Sequence, residues 1–553
     1  MALCAIVLAG CSPKHYKDSA DREAYRILAA KRARVLGAKD LFSIDLPKGD
    51  PLERLRTEQH GASAPARKAL SVGDRDLKNV GDDGLPKWAG ALRLTLRQAL
   101  ELAARHSREY QGRKEQLYLS ALDLSLQRHQ WKPQWSGDAD AGATDGADDF
   151  VEGGSSVSVT QLLALGGQVS ASVATDLLKF TTGDRSRSAT TAVAAQVLQP
   201  LWRGAGRLVA RENLTQAERS TVYDVRSFAR FRKIFCIQIT SDYYGVLRAR
   251  DAVTNQWQSR LRNQQVVELT RDKAAAGRLS EFEVDRARQN ELRARDSWVR
   301  ALRNYYQALD RFKVRLSLPA DAAVELDPAE VERLRTTGLH EAKLPLDRGI
   351  MLALRKRLDL LNAIDRVADS ERRLVLAVNG LGPDVDLTLS AAIPSDGQRK
   401  PLRIRPSQGT YSIGLDADLP LDRKSERNTY RRALIDLDQA RRTADEQRDN
   451  VTLGVREAWR NLRETAERYR IQIDSVRLAE RRVESTTVLL QGGRANTRAV
   501  LDANDDLVAA KNAVTSALID NTLARLALWR DTELLRVGAD GVWQEVTNAD
   551  LQQ

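Results

Sequence analysis

Two periodicities alternate along this chain. Val385, Leu387, Leu389, Ala391 and Ile393 alternate with Asp386, Thr388, Ser390 and Ala392. Tyr411, Ile413, Leu415, Ala417 and Leu419 alternate with Ser412, Gly414, Asp416 and Asp418. A period of two predicts strands with one apolar face and one polar or acidic face. Earlier strands are predicted over 157–163, 168–180 and 190–199, with weaker strand character over 134–143, and Gly166-Gly167 is placed to turn the chain between the first two. The remaining stretches are helical and nearly free of Pro and Gly. Helices are predicted over about 95–130, 206–272 and 280–317, then over about 345–378, 424–490 and 497–535. A helix over 206–272 would be about 100 Å long at about 1.5 Å per residue. It is too polar to be buried all round, so it needs partner helices along a narrow seam. Small residues such as Ala274, Ala275, Ala276, Ala503, Ala509, Ala510 and Ala513 allow close approach there.

The order helix, strands, two long helices occurs twice, and residues recur with it. Gly277-Arg278-Leu279, with Val284, Ala287, Ala294 and Ala301-Leu302, lies 216 residues before Gly493-Arg494-Ala495, with Val500, Ala503, Ala510 and Ala517-Leu518. Val267-Glu268 matches Val483-Glu484 at the same offset, and Gln199-Pro200-Leu201 matches Leu419-Pro420-Leu421. The halves differ mainly by extra strand material in the first.

Composition narrows the class. The 553 residues include 87 Lys and Arg, 75 Asp and Glu, five His and three Cys, for a net charge of +12. Three cysteines make no disulfide framework. Aromatics are only 5%, low for one large core and fitting thin, elongated packing. The arginines alternate with acidic residues and Gln on helical faces, as in solvated coiled-coil flanks, and no block of five basic residues occurs, so no nucleic-acid partner is expected. No run of 18 apolar residues exists, which leaves a β-barrel open because its strands need only about 9–11 alternating residues.

The start, MALCAIVLAGCSP, has the form of a bacterial lipobox at Leu8-Ala9-Gly10-Cys11, with Cys11 as the lipidation site. Several acyl chains would anchor the protein stably at about 0.8 kcal/mol per buried CH₂. Ser12 after the cysteine favours sorting to the outer membrane. The stretch lacks a basic n-region and is shorter than the usual 15–30 residues, so the true start is expected upstream. Cys236 reads as a packed helix residue.

With the repeat, the paired long helices and the alternating hairpins together, residues 92–535 resemble the TolC-like outer-membrane efflux protein family, in its lipoprotein-type form. The most specific local features are the two helix-turn tips, Ala276-Gly277-Arg278-Leu279-Ser280-Glu281-Phe282-Glu283-Val284 and Gly492-Gly493-Arg494-Ala495-Asn496-Thr497-Arg498-Ala499-Val500-Leu501-Asp502-Ala503. The resemblance implies a mixed α/β membrane protein with two internal structural repeats. Long antiparallel helical hairpins would form a trimeric α-barrel in the periplasm, and four strands per protomer would enter one shared 12-stranded outer-membrane β-barrel. It implies turns at Gly277, Gly492 and Gly493, and candidate pore or gate residues at Glu283, Asp502 and Arg494. Glu283 stands where the family often has Asp, Asp502 matches one acidic ring, and the other ring position is Ala499. Three copies of one carboxylate around a narrow axis favour cations. The competing role for Glu283 and Asp502 is dipole complementarity at helix starts.

The implied function is a passive exit duct of a tripartite efflux or type I secretion system. Its partners would be two further copies, a periplasmic adaptor, an inner-membrane pump and outer-membrane lipid. The alternative is a lipid-anchored coiled-coil scaffold of the cell envelope. No enzyme and no cofactor are expected: the sequence has no Walker A loop, zinc-spaced Cys pair, Gly-x-Ser-x-Gly or His-Glu-x-x-His. Asp138, Asp140, Asp145, Asp148 and Asp149 lack calcium-loop spacing and read as a solvated loop. The expected organisation is a signal and lipobox (1–11), a tether and equatorial extension (12–90) with one short helix near 19–36, a first repeat (91–318), a linker (319–343), a second repeat (344–536) and a tail (537–553).

Overall fold

The computed structural model describes residues 12–37, 42–45, 80–86, 92–145, 149–180, 187–319, 322–339, 341, 344–395, 403–419 and 421–546. The helices are α1 (Pro13–Leu36), α2 (Leu96–His106), α3 (Arg108–His129), α4 (Arg207–Ala210), α5 (Glu212–Ala275), α6 (Glu281–Arg315), α7 (Ala329–Thr337), α8 (Leu346–Lys356), α9 (Leu358–Asn379), α10 (Lys424–Gln491) and α11 (Thr497–Asp531). The strands are β1 (Leu92–Leu94), β2 (Gln134–Thr144), β3 (Phe150–Leu162), β4 (Gln168–Phe180), β5 (Arg187–Pro200), β6 (Val324–Leu326), β7 (Asp384–Pro394), β8 (Thr410–Asp418), β9 (Arg536–Val537) and β10 (Trp543–Gln544). They fall into two compact units. One takes Met1–Phe42, Gln116–Ser227 and Asp359–Gln447; the other takes Ser43–Glu115, Phe228–Leu358 and Arg448–Gln553.

The first unit holds one antiparallel sheet in the order β2-β3-β4-β5-β7-β8. The first-half hairpin β2–β3 pairs along its full length with β4, so all six of the strands expected from the sequence join one sheet. The acidic loop is corrected, because Asp138 and Asp140 lie inside β2; Asp148 lies outside the described residues. Gly166, at φ +97°, turns the chain between β3 and β4, and a Cβ there would meet the Gly204 carbonyl at 2.5 Å. Leu163 N donates to Gly167 O at 2.7 Å across that turn.

Helix α1 packs within this unit, so residues 13–36 are more than a tether. Ala24, Ile27 and Leu28 are buried, Tyr118 Oη donates to Asp21 at 2.6 Å, and Lys31 lies 3.7 Å from Glu218. The start of α5 meets α9 through a buried polar network. Asp369 accepts from Tyr223 Oη at 2.6 Å, Arg219 Nε at 2.5 Å, Arg372 Nη2 at 2.9 Å and Gln216 Nε2 at 3.3 Å. Arg372 Nε also donates to Glu212 at 2.9 Å. Burial alone would raise the Asp369 pKa, but the hydrogen bonds from Tyr223 and Arg372 and the Arg219 charge hold it below the ordinary value. Burial first, and the bond to Asp369 next, push Tyr223 up to about 12.

The second unit is a helical body. Tyr110 packs on Phe228 and Phe235 with centroids 5.7 and 5.3 Å apart. Cys236 is buried and free, as its helical setting predicted. Trp298 Nε1 donates to Gly84 O at 3.1 Å, which fixes residues 80–86 against α5 and α6. Short pairs complete the unit: β1 with β6 in parallel, and β9 with β10 antiparallel.

Two predicted helices are broken. The helix over 95–130 divides at Ser107 and that over 345–378 at Arg357, each an extended residue with ψ near 120–127°. Ser317 Oγ accepts from Arg108 N at 3.1 Å and so caps the restart of α3. The fragments have equal lengths: 11 residues for α2 and α8, and 22 for α3 and α9. Helices α6 and α11 both have 35.

Candidate functional site

Two places in the fold carry functional chemistry. The first is the sheet of the first unit. Its register sorts every strand onto the same two faces. One row runs Trp135, Val159, Ala171, Ala195, Ala391 and Tyr411, and another runs Gly137, Val157, Val173, Val193, Ile393. The odd-numbered face is apolar throughout its middle, yet it is open: Trp135 is 74% exposed and Ile413 76%, and Val151, Val157, Val173, Leu177, Leu389 and Leu415 are exposed too. An exposed apolar face of this extent marks contact with lipid or protein. Two hydroxyls on it pair with each other: Thr175 Oγ1 and Thr191 Oγ1 are 3.1 Å apart.

The opposite face is polar. Serine pairs bridge its strands, Ser136 to Ser158 and Ser390 to Ser412, each at 2.6 Å. It carries Asp138, Asp140, Glu152, Asp176, Asp384, Asp386, Asp416 and Asp418, and no Lys or Arg among its described strand positions. Asp384 faces Asp418 and Asp386 faces Asp416 in register. Like charges placed directly opposite cost stability, so this face suits water rather than packing.

The second place is the pair of helix tips in the second unit. Gly277 has φ +70° and Gly493 φ +72°, and both end their helices with the same hydrogen bonds: Arg278 N to Lys273 O and Arg494 N to Leu489 O, each at 2.8 Å. Such closure needs a left-handed residue, which glycine adopts without strain. Gly492 precedes it with an ordinary backbone, so of the two predicted glycines Gly493 makes the turn. Lys273 Nζ reaches across to the carbonyls of Leu490 and Gln491, the latter at 3.1 Å. A cation on the last carbonyls of a helix complements its dipole.

Behind the tips a polar ladder joins α5 to α11. Arg248 pairs with Asp520 at 3.5 Å, Thr515 Oγ1 donates to Asp251 at 2.5 Å, Asn255 donates to Asn512 at 2.8 Å, and Arg262 Nε donates to Asn504 at 3.0 Å. Val266, Ala287, Leu490, Val500 and Leu501 make the apolar core beside it.

The predicted gate residues are paired on their own helices. Glu283 lies 2.9 Å from Arg286 in the first turn of α6, and Asp502 lies 3.6 Å from Arg498. Arg494 is exposed at its turn. Cys11 lies outside the described residues. Sequence reading missed Lys273, whose only signal is a basic residue in a last helical turn. It also missed Asp505, whose pKa is raised by burial and by the neighbouring Asp502 and Asp506.

Comparison with known proteins agrees with this architecture. Residues 349–530 match the family model described as outer membrane efflux protein. Among solved structures the chain is similar to the outer-membrane channel OprN, with a TM-score of 0.57 at 15% identity, covering 85% of this chain and 96% of that one. It is similar to the outer membrane protein VceC from Vibrio cholerae, with 0.59 at 14%, covering 79% and 95%. It is also similar to the Campylobacter jejuni CmeC outer membrane channel, with 0.57 at 13%, covering 79% and 85%. No curated protein matches the sequence. At these identities the structures speak for the fold. They give the chain the fold of outer-membrane channels, and the family match to outer membrane efflux proteins falls on its second half. Among the described residues no helix is long and apolar enough to cross a membrane, and no cluster of His, Cys, Asp and Glu is arranged to hold a metal.

Proposed function

We propose that this chain is one of three copies forming a passive exit duct through the outer membrane, serving a tripartite efflux or type I secretion system. The observation that carries the reading is the two-faced sheet. Its apolar face is exposed among the described residues and suits lipid, while its opposite face suits a water-filled lumen. A tethered scaffold would have no use for such a sheet. A periplasmic adaptor docks near the tips around Gly277 and Gly493, and the free energy for export comes from an inner-membrane pump. Opening separates the α5 and α10 tips, a shift between two discrete packings. Lipidation at Cys11 supplements the anchor.

The test is to separate cell membranes by density and take the oligomer into mild detergent. The reading predicts the protein in the outer-membrane fraction with the mass of three chains. A chain that stays in the soluble periplasmic fraction would contradict it.

A further inference from the structure

We propose that the barrel is closed by eighteen strands, six from each of three copies, with β8 of one copy hydrogen-bonded antiparallel to β2 of the next. The proposal rests on the trimeric duct reading above and adds the seam and the size of the pore.

Four observations point to this seam. First, β2 and β8 are the two edges of the sheet, and within a bilayer an open edge leaves backbone groups with no partner. Second, neither edge carries the usual protections. β2 reads Gln-Trp-Ser-Gly-Asp-Ala-Asp-Ala-Gly-Ala-Thr and β8 reads Thr-Tyr-Ser-Ile-Gly-Leu-Asp-Ala-Asp, without Pro, Lys or Arg, and both pair with their inner neighbours in unbroken register without a bulge. Nearly every residue of both edges is exposed. Third, successive strands alternate in direction across all six, so the edges run oppositely. A second copy's β2 laid beside β8 therefore continues the antiparallel pattern, and its Trp135 face joins the Tyr411 face.

Fourth, the sheet is already sheared as a barrel requires. In the row from Trp135 to Tyr411, Trp135 stands one residue from the helix-side end of β2, and Tyr411 stands seven from the helix-side end of β8. That stagger of six residues is about 20 Å along the strands for about 24 Å across five strand spacings, a tilt of about 40°. Closed barrels tilt their strands by about 35–45°. Barrels of 16–18 strands leave an aqueous channel, so the lumen would be wider than the twelve-stranded barrel that four strands per chain would build.

The stagger also sets the register at the seam. Continuing the same climb past β8 brings Asp140 or Gly142 of the next copy beside Ser412. Within one chain these positions lie on opposite sheet edges, about 24 Å apart, far beyond the reach of a disulfide.

The test is oxidative cross-linking of full-length protein in outer membranes, with Ser412→Cys paired with Asp140→Cys or with Gly142→Cys. One of these pairs is expected to convert most of the monomer band into covalent dimer and trimer, with nothing larger. Three results would overturn the proposal while leaving the duct standing. One is a covalent ladder that stops at two copies, since two sheets would close only twelve strands. Another is cross-linking of Ser412→Cys to Ala174→Cys in β4, which places β2–β3 outside the barrel. The third is a trimer by mass that cross-links with neither β2 position. A monomeric, soluble chain would instead sink the duct reading itself.

Discussion

Lys273, in the last turn of α5, donates its ammonium to the carbonyl of Gln491, the final residue of α10, at 3.1 Å. One side chain thus ties the two helical tips of a single chain together, and it also takes the Leu490 carbonyl. If the duct opens by parting these tips, this contact must break.

Lys273→Met should therefore favour the open form. A charge-assisted bond to helix-end carbonyls contributes about 0.3–2 kcal/mol, so the open-to-closed ratio should rise by about two- to thirtyfold. Single-channel recording on the purified oligomer reads this as longer or larger openings, and an unchanged trace would assign the lysine to helix capping alone.

The turn glycines are predicted to be unequal. A Cβ at Gly493, held at φ +72°, should cost about 1–2 kcal/mol. Gly492→Ala should be close to neutral, because its backbone is ordinary. Gly277→Ala should resemble Gly493→Ala. Thermal melts of the three variants separate them, and equal losses at Gly492 and Gly493 would refute the assignment of the turn.

Asp369 and Tyr223 make a prediction about pH. The Asp369 carboxyl is held below its ordinary value, so its stabilising contribution is full above the unfolded pKa of about 3.9 and is lost as pH falls through the lower folded value. Tyr223 is raised to about 12, so its contribution is full below about 10 and is lost as pH rises through about 12. Tyr223→Phe should remove that alkaline loss. Asp369→Ala takes the acceptor from Tyr223 Oη and leaves Arg219 with Asp365 and Arg372 with Glu212, and should cost about 1–3 kcal/mol at neutral pH. Denaturant melts across pH decide both points.

The polar sheet face predicts selectivity despite the net charge of +12. A lumen bearing acidic groups and no strand Lys or Arg should pass cations over anions. Asp386→Asn with Asp416→Asn should lower that preference, read as a shift in reversal potential under a salt gradient. A reversal potential that does not move would place these residues away from the ion path.

Much of this was legible in the sequence because it rests on local rules. The β7–β8 hairpin follows from strict alternation, and the two tips from a glycine between helical runs. The β2–β3 hairpin was only partly visible. Its apolar face is built from Gly137, Ala139, Ala141 and Ala143, small residues that score weakly as strand and sit among aspartates. Its strand character depends on pairing with β4, which is a tertiary fact. The breaks at Ser107 and Arg357 were hidden for the same reason, since helical periodicity continues through both. Glu283 and Asp502 were found from the family pattern; their Arg286 and Arg498 partners lie three and four residues away, and Glu283 stands in the first turn of α6, whereas Asp502 lies past the first turn of α11. Lys273 has no sequence motif, because its partner is 218 residues distant.

The central claim is that this chain makes a water-filled path through the outer membrane. The most direct measurement is conductance in a planar bilayer by the full-length oligomer purified from outer membranes, with its mass determined in the same preparation. The account predicts discrete, cation-preferring channel steps from a species of three chains. A homogeneous preparation that inserts yet passes no current, under conditions in which Lys273→Met also passes none, would contradict it.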